Sequence, residues 1–185
     1  MNKAQLTVLA GPTAVGKGTV VAALTKRYPT LNVSVSATTR DPRPGELNGV
    51  HYYFVSAQEF DAMIERGDML EWALVHGKNK YGTPRGPVDE ALAAGKPVLL
   101  EIDLAGARQV RTNRPDAQFI FLAPPSWEEL ERRLIGRGTE GPEEQARRLA
   151  TARVELEAAS EFDHVVINDD VERAVDELAR LIGLE

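Results

Sequence analysis

A glycine-rich segment between an apolar run and a helical pattern constrains the fold of this chain more than any other part of the sequence. Its residues are, in order, Gly11, Pro12, Thr13, Ala14, Val15, Gly16, Lys17, Gly18 and Thr19. Gln5–Ala10 predicts a buried strand before it, and residues 17–27 predict a helix after it. Glycines let backbone N–H groups turn towards an anion at a helix N-terminus, and the lysine adds a positive charge. The segment therefore predicts a phosphate-binding loop for ATP.

The residue after the lysine departs from the usual form of this loop. Serine or threonine normally follows the lysine and binds Mg²⁺, whereas this chain has Gly18 there and Thr19 next. Gly-Lys-Gly-Thr occurs in kinases of nucleoside monophosphates, so the variant points to that class. We expect Mg²⁺ as the cofactor, with the hydroxyl of Thr19 as its candidate ligand.

Apolar runs alternate with helical patterns along most of the chain. Strands are predicted over about residues 5–10, 32–36, 50–55, 97–102, 117–122 and 164–168. Helices are predicted over about residues 17–27, 56–67, 87–94, 104–112, 126–136, 143–160 and 171–181. This alternation predicts an α/β fold of the P-loop NTPase type, in which helices flank a mostly parallel sheet.

One stretch interrupts the alternation, because residues 38–92 are richer in turns and polar residues. We expect one domain over residues 1–185, in which residues 38–92 form an inserted subdomain and residues 131–160 a small helical lid. The core then consists of residues 1–37, 93–130 and 161–185.

Composition excludes several classes of protein. The net charge of −6 argues against a general nucleic-acid binder. Arginines nevertheless cluster at residues 40–43 and 132–153, and such clusters are suited to binding anionic ligands. No apolar run could span a bilayer, and cysteine is absent, so we expect a cytoplasmic protein without a membrane partner. His51, His76 and His164 lack the spacing of a zinc site. The sequence favours neither a monomer nor an oligomer.

A second motif lies about twenty residues after the phosphate loop, over Thr38–Val55. It contains paired hydroxyls, two arginines three positions apart, an acid, a glycine and a closing aromatic cluster. This segment resembles the signature of the guanylate kinase family. Other stretches that resemble the family are Glu71–Ala73, Tyr81–Pro84, Glu101–Asp103, Arg137–Thr139 and Asn168–Asp170. The chain departs from the family at His76–Thr83, where it has one extra residue.

The resemblance implies a phosphotransferase that moves the γ-phosphoryl of ATP to GMP, and to dGMP, giving ADP and GDP. It implies that GMP is bound by Ser36, Arg40, Arg43, Tyr52, Glu71, Tyr81, Thr83 and Asp103. It places the catalytic positive charges at Lys17, Arg40, Arg137 and Arg148. By the same resemblance, Asn168 hydrogen-bonds the adenine of ATP. The implied substrates are thus two small molecules, ATP and GMP.

The chemistry of these residues suits the implied ligands. Forked guanidinium groups match a dianionic phosphate, and a carboxylate matches the N1–H and exocyclic amine of guanine. Glu71 is the first candidate for guanine recognition, and Asp103 is the second. Glu101 and Asp103 follow a strand, at the edge where open α/β sheets bind their ligands. A carboxylate at either position could also hold water on Mg²⁺ or contact ribose. For Glu101, capping of the next helix is a further alternative.

Arginines in the lid have two competing roles. Stabilising charge on a transferred phosphoryl group is expected of Arg137 and Arg148. We expect Arg132, Arg147 and Arg153 to lie on a solvated helix face and to form ion pairs with glutamates three or four positions away. Asp169 or Asp170 is expected to cap the last helix.

Two alternatives compete with this function. Binding modules of the same fold in membrane-associated scaffold proteins recognise phosphopeptides but typically lose the phosphate loop, which is intact here. A P-loop kinase of another small phosphate compound is the closer alternative, against which the complete signature and Glu71 argue.

Replacing Lys17 with alanine is expected to abolish phosphoryl transfer, because no other residue of the loop supplies a positive charge. ADP formation from ATP and GMP measures the loss, and an unchanged circular dichroism spectrum shows that the fold is intact. Turnover close to that of the wild-type chain would contradict the role of the loop.

Overall fold

The computed structural model describes residues 3–136, 138 and 140–185. Its strands are β1 (Leu6–Ala10), β2 (Asn32–Val33), β3 (Ala37–Thr38), β4 (Tyr53–Phe54), β5 (Met69–Val75), β6 (Asn79–Pro84), β7 (Val98–Glu101), β8 (Gln118–Ala123) and β9 (His164–Ile167). Its helices are α1 (Lys17–Arg27), α2 (Ala57–Glu65), α3 (Arg85–Ala93), α4 (Leu104–Asn113), α5 (Trp127–Ile135), α6 (Pro142–Glu157) and α7 (Val171–Ile182). A 3₁₀ turn follows α6 over Ala158–Glu161.

The main sheet has five parallel strands in the order β2-β7-β1-β8-β9. Its residues alternate between two apolar cores, as the period of a strand requires. Leu9 packs with residues of α1 and α7, whereas Val8 packs with residues of α3 and α4. The predicted parallel sheet with helices on both faces is thus confirmed.

The chain crosses from one side of β1 to the other, so β1 lies where the strand order reverses. Open α/β sheets bind their ligands in the crevice at such a point, beyond the carboxyl ends of the strands. This position brings the loop after β1 next to the end of β7. Within residues 3–136, 138 and 140–185, no helix combines the length and apolarity of a membrane span.

A second sheet has four strands in the order β4-β3-β6-β5. One face packs on α2, where Ala37, Phe60 and Met69 are buried together. Residues opposite each other in neighbouring strands share a face, and so do residues two apart in one strand. The pairs Thr38–Tyr81 and Glu71–Thr83 therefore lie on the face away from α2.

The second sheet contains the main difference from the sequence prediction. The hairpin formed by β5 and β6 was not predicted, because its polar and glycine residues hide the alternation of a strand. The single strand predicted over residues 32–36 is wrong. Residues 32–33 belong to the main sheet, and residues 37–38 belong to the second sheet.

The hairpin turns at residues 76–78. His76 and Gly77 both have positive φ angles, 53° and 65°, and the N–H of Lys78 donates to the carbonyl of Val75 at 3.1 Å. The strands pair regularly beyond this turn, with Tyr81 opposite Ala73. Tyr81 therefore lies on the same face as Glu71.

Replacing Gly82 with alanine is expected to destabilise the second sheet. An added Cβ would lie 2.6 Å from the carbonyl oxygen of Glu71 and 2.9 Å from the Cβ of Trp72. Such overpacking costs about 1–3 kcal/mol, which chemical denaturation measures. The control is Gly86→Ala in α3, where the added methyl meets open space and alanine favours the helix. Equal stability of the two variants would contradict the expected clash.

Candidate active site

The loop between β1 and α1 has a backbone shaped for an anion. Ala14 has a φ angle of 69° and Gly16 one of 91°, so two residues of this short turn lie in the left-handed region. Successive backbone N–H groups converge in such turns. Gly11 permits the close approach to β8, because an added Cβ would lie 2.5 Å from the carbonyl oxygen of Leu122.

Two side chains hold the carbonyl oxygen of Val15. Asn168 Nδ2 donates to it at 2.8 Å, and a guanidinium nitrogen of Arg133 donates at 3.2 Å. The carbonyl and the following N–H point in opposite directions across a trans peptide, so the N–H of Gly16 points away from Asn168 and Arg133. The sequence did not predict this contact for Asn168, which is only 4% exposed. Its contact with adenine stays a prediction.

Lys17 begins α1 and lies among carboxylates. Its Nζ donates to the carbonyl oxygen of Ile102 at 3.0 Å. Burial lowers the pKa of Lys17, and the negative charges of Glu101, Asp103 and Glu155 oppose that decrease. The cation is thus held beside the end of β7.

Glu155, on α6, is a member of the site that the sequence analysis missed. Its Oε1 is buried and has no hydrogen-bond partner within the described chain. Burial raises the pKa of Glu155, and the charge of Lys17 and the N–H of Thr13 oppose that increase. Glu155 lies three positions after the buried Ala152, so the two residues share the inward face of the helix. This helical spacing could have identified Glu155 from the sequence.

The carboxylates after β7 have different surroundings. Glu101 Oε1 lies 3.9 Å from the point where a Cβ of Gly18 would be, so it faces the first turn of α1. Asp103 caps α4 and accepts a hydrogen bond from the N–H of Gly106 at 2.7 Å. The capping role considered for Glu101 therefore belongs to Asp103. Thr19 is exposed on α1.

Glu71 is a buried carboxylate in the second sheet, with 9% of its surface exposed. Thr83 Oγ1 donates to its Oε1 at 2.8 Å. Burial raises the pKa of Glu71, the bond from Thr83 opposes that increase, and the charge of Asp103 adds to it. Asp103 lies close to Glu71, because an added Cβ at Gly106 would lie 3.1 Å from Asp103 Oδ1 and 3.0 Å from Glu71 Oε2.

The predicted phosphate ligands of the second sheet are held by an acid. Arg40 makes an ion pair with Glu46 at 3.0 Å, which raises the pKa of Arg40. Glu46 also accepts from the N–H of Arg43 at 3.0 Å. The Arg40 guanidinium lies 5.3 Å from the centre of the Tyr52 ring, which is 6.0 Å from that of Tyr81. Arg40, Tyr52 and Tyr81 thus lie together, whereas the side chain of Arg43 is exposed.

Ser36, which is also among the predicted GMP ligands, is half-buried and lies just before β3.

The lid arginines fall into three groups. Arg148 makes ion pairs with Glu140 at 2.5 Å and Glu144 at 3.7 Å. The predicted ion pairs of Arg132 and Arg147 are confirmed, with Glu129 and Glu144. Arg153 differs, since its guanidinium lies 3.9 Å from the centre of the Trp127 ring. Arg137 lies outside the described residues.

The predicted cap of the last helix is confirmed at Asp170, whose side chain accepts a hydrogen bond from the N–H of Arg173.

The fold and this site define a P-loop kinase. The chain resembles the crystal structure of shikimate kinase from Bacteroides thetaiotaomicron with a TM-score of 0.50 and 15% sequence identity. The superposition covers 97% of this chain and 98% of that one. That likeness concerns the fold alone.

The family follows from closer similarities. The family model described as guanylate kinase matches residues 3–185. The chain is 61% identical to guanylate kinase from Thermobifida fusca over 179 aligned residues. The alignment covers 97% of this chain and 91% of that protein. It resembles the crystal structure of guanylate kinase from Anaplasma phagocytophilum with a TM-score of 0.73 and 32% identity, covering 99% of this chain and 86% of that one. The chain belongs to the guanylate kinase family.

Replacing Glu71 with glutamine is expected to stabilise the fold in a pH-dependent way. The folded protein favours the protonated carboxyl, because burial raises the pKa of Glu71 above its ordinary value of 4.5. The wild-type chain therefore loses stability as the pH rises from 4.5 through the raised pKa, whereas the glutamine variant does not. Melting temperatures between acidic and neutral pH measure the difference. A variant that melts below the wild type at neutral pH would contradict this account.

Proposed function

We propose that this chain transfers the γ-phosphoryl of ATP to GMP, giving ADP and GDP. The observation that supports this most is that Asp103 lies near two very different groups. One is Lys17 of the phosphate loop, and the other is the buried Glu71. Lys17 Nζ donates to the carbonyl oxygen of the preceding residue, Ile102, at 3.0 Å, and Asp103 Oδ1 and Glu71 Oε2 both face Gly106. A cation suited to a triphosphate thus lies near a carboxylate suited to a purine edge.

The ATP half of the proposed site is the loop over residues 11–19. The convergent N–H groups of the loop bind the β- and γ-phosphates, to which Lys17 adds its charge. Asn168 lies at the end of β9, behind the loop, and we propose that it contacts the adenine as well as Val15.

The GMP half is the proposed subdomain of residues 38–92, together with Ser36 and Asp103. Arg40, Arg43, Tyr52 and Tyr81 bind the phosphate of GMP in this proposal. Glu71 accepts hydrogen bonds from the guanine N1–H and exocyclic amine, and Ser36, Thr83 and Asp103 complete this part of the site. AMP would present an acceptor to a buried carboxylate, which strongly disfavours it.

The proposed reaction is an in-line displacement without a covalent enzyme intermediate. A phosphate oxygen of GMP attacks the γ-phosphorus of ATP, and the bond to the β-phosphate oxygen breaks. Lys17, Arg40, Arg137 and Arg148 share the negative charge of the transition state. Because Arg148 is paired with Glu140, closure of the lid must exchange that carboxylate for phosphate oxygens. Closure also excludes water, which would otherwise hydrolyse ATP.

The residues beside the loop fit Mg²⁺ bound together with ATP. The donors are hard oxygen atoms: the carboxylate of Glu101 faces Gly18, and Thr19 supplies a hydroxyl in the same turn. Among the described residues, no group of three or more histidine, cysteine, aspartate or glutamate side chains could hold a metal ion. Mg²⁺, when bound, neutralises charge on the phosphates. Glu101 and Thr19 are the residues that would hold it.

The proposal extends to dGMP as a second acceptor, because none of the proposed contacts requires the ribose 2′-hydroxyl. We also propose a cytoplasmic location for the reaction. The proposed subdomain, core and lid are those expected from the sequence.

The test is ADP formation from ATP and Mg²⁺ with GMP, dGMP, AMP, CMP and UMP offered separately. Turnover with GMP and dGMP alone is expected. Glu71→Gln is expected to lower kcat/KM for GMP about 10- to 100-fold, since a charged acceptor is lost, with little change in KM for ATP. Glu65→Gln, at an exposed position of α2, is the matched control. Equal losses for GMP and ATP would refute the role of Glu71, and turnover with another monophosphate would refute the proposed acceptor.

A further inference from the structure

Helix α4 holds the strand that bears Glu71 through the side-chain amide of Gln109. The N–H of Trp72 donates to Gln109 Oε1 at 3.0 Å, and Gln109 Nε2 donates to the carbonyl oxygen of Trp72 at 2.9 Å. Because β5 is an edge strand, these backbone groups face away from the sheet. The Gln109 amide therefore occupies the place of a neighbouring strand at this one residue.

Asn113 makes a similar contact one helical turn later. Its Nδ2 donates to the carbonyl oxygen of Leu70 at 2.8 Å. The pairing of β5 with β6 is irregular at this point, since Met69 lies opposite Pro84 and Glu71 lies opposite Thr83. Irregular pairing leaves a backbone group without a partner in the ladder, and Asn113 satisfies it.

The two contacts lie on either side of Glu71. Leu70 is held through its carbonyl, and Trp72 is held through both of its backbone polar groups. Gly106, three residues before Gln109 on the same face of α4, leaves room for the carboxylate, because a Cβ there would lie 3.0 Å from Glu71 Oε2. The helix thus fixes the backbone around Glu71 and also lines its side chain.

The attachment crosses the boundary between two parts of the chain. Helix α4 follows β7 of the main sheet, whereas β5 belongs to the second sheet. The proposed phosphate ligands of GMP, Arg40 and Tyr52, lie near β3 and β4, at the other side of the second sheet. Arg40 and Tyr52 therefore lie farther from this attachment than Glu71 does, and Tyr81, on β6, lies between them.

We propose that Gln109 and Asn113 are positioning residues for guanine recognition, which fix Glu71 to α4 and thereby to the main sheet. This inference rests on the proposed role of Glu71. Hydrogen bonds to guanine discriminate only when the carboxylate is aligned with the base, so a small displacement of β5 weakens selectivity.

The test replaces Gln109 with methionine, which keeps the length of the side chain and removes both hydrogen bonds. The readout is the ratio of kcat/KM for GMP to that for IMP, which keeps the N1–H of guanine but lacks its exocyclic amine. The ratio is expected to fall about tenfold, while KM for ATP changes by less than about twofold. Gln58→Met, at an exposed position of α2, is the matched control and is expected to leave the ratio unchanged.

A lower melting temperature with an unchanged ratio would show a merely structural role and would overturn the inference. Asn113→Leu provides a second variant if the Gln109 variant does not fold, and the same fall in the ratio is expected for it.

A double-mutant cycle separates this inference from the proposed function. In the Glu71→Gln background, Gln109→Met is expected to have no further effect on the ratio, because Gln109 acts through Glu71. If Glu71→Gln itself leaves the ratio unchanged, the guanine assignment and this inference both fail. If Glu71→Gln lowers the ratio and Gln109→Met does not, only the role of Gln109 is overturned.

Discussion

The conformation of the phosphate loop depends on one backbone carbonyl, that of Val15. Asn168 at the end of β9 and Arg133 on α5 both donate to it, and together they set the direction of the Gly16 N–H. The loop is therefore oriented by the far strand of the main sheet and by the helix that leads into the lid. Ala14 packs against the apolar cluster between α5 and α6, so these two helices also contact the loop itself.

The site holds its charges in opposite pairs. Arg40 lies with Glu46, Arg148 lies with Glu140, and Lys17 lies among three carboxylates. Each of these positive groups is thereby balanced by nearby negative charge. In the proposed function, an incoming nucleotide takes over contacts that carboxylates already make.

The sequence predicted those parts of the structure that depend on local signals. The loop after β1, the central parallel strands and the serine caps of α2 and α5 all have patterns within a few residues. The hairpin of β5 and β6 has no such pattern, because it is half exposed and its pairing is irregular. Glu155 and Gln109 were missed for a related reason: each acts on a distant segment, Thr13 or Trp72, that only the fold brings near.

The contact between Gln109 and Trp72 has a consequence for the behaviour of the protein in a crowded solution. A free edge strand offers an unbroken row of backbone donors and acceptors, on which a strand of another molecule can assemble. The Gln109 amide occupies the middle of that row, and Asn113 occupies the carbonyl of Leu70 near its beginning. Within β5, the stretch near the hairpin turn, where Leu74 and Val75 are exposed, keeps a free edge. The same two amides thus block the pairing of another strand along the first half of β5.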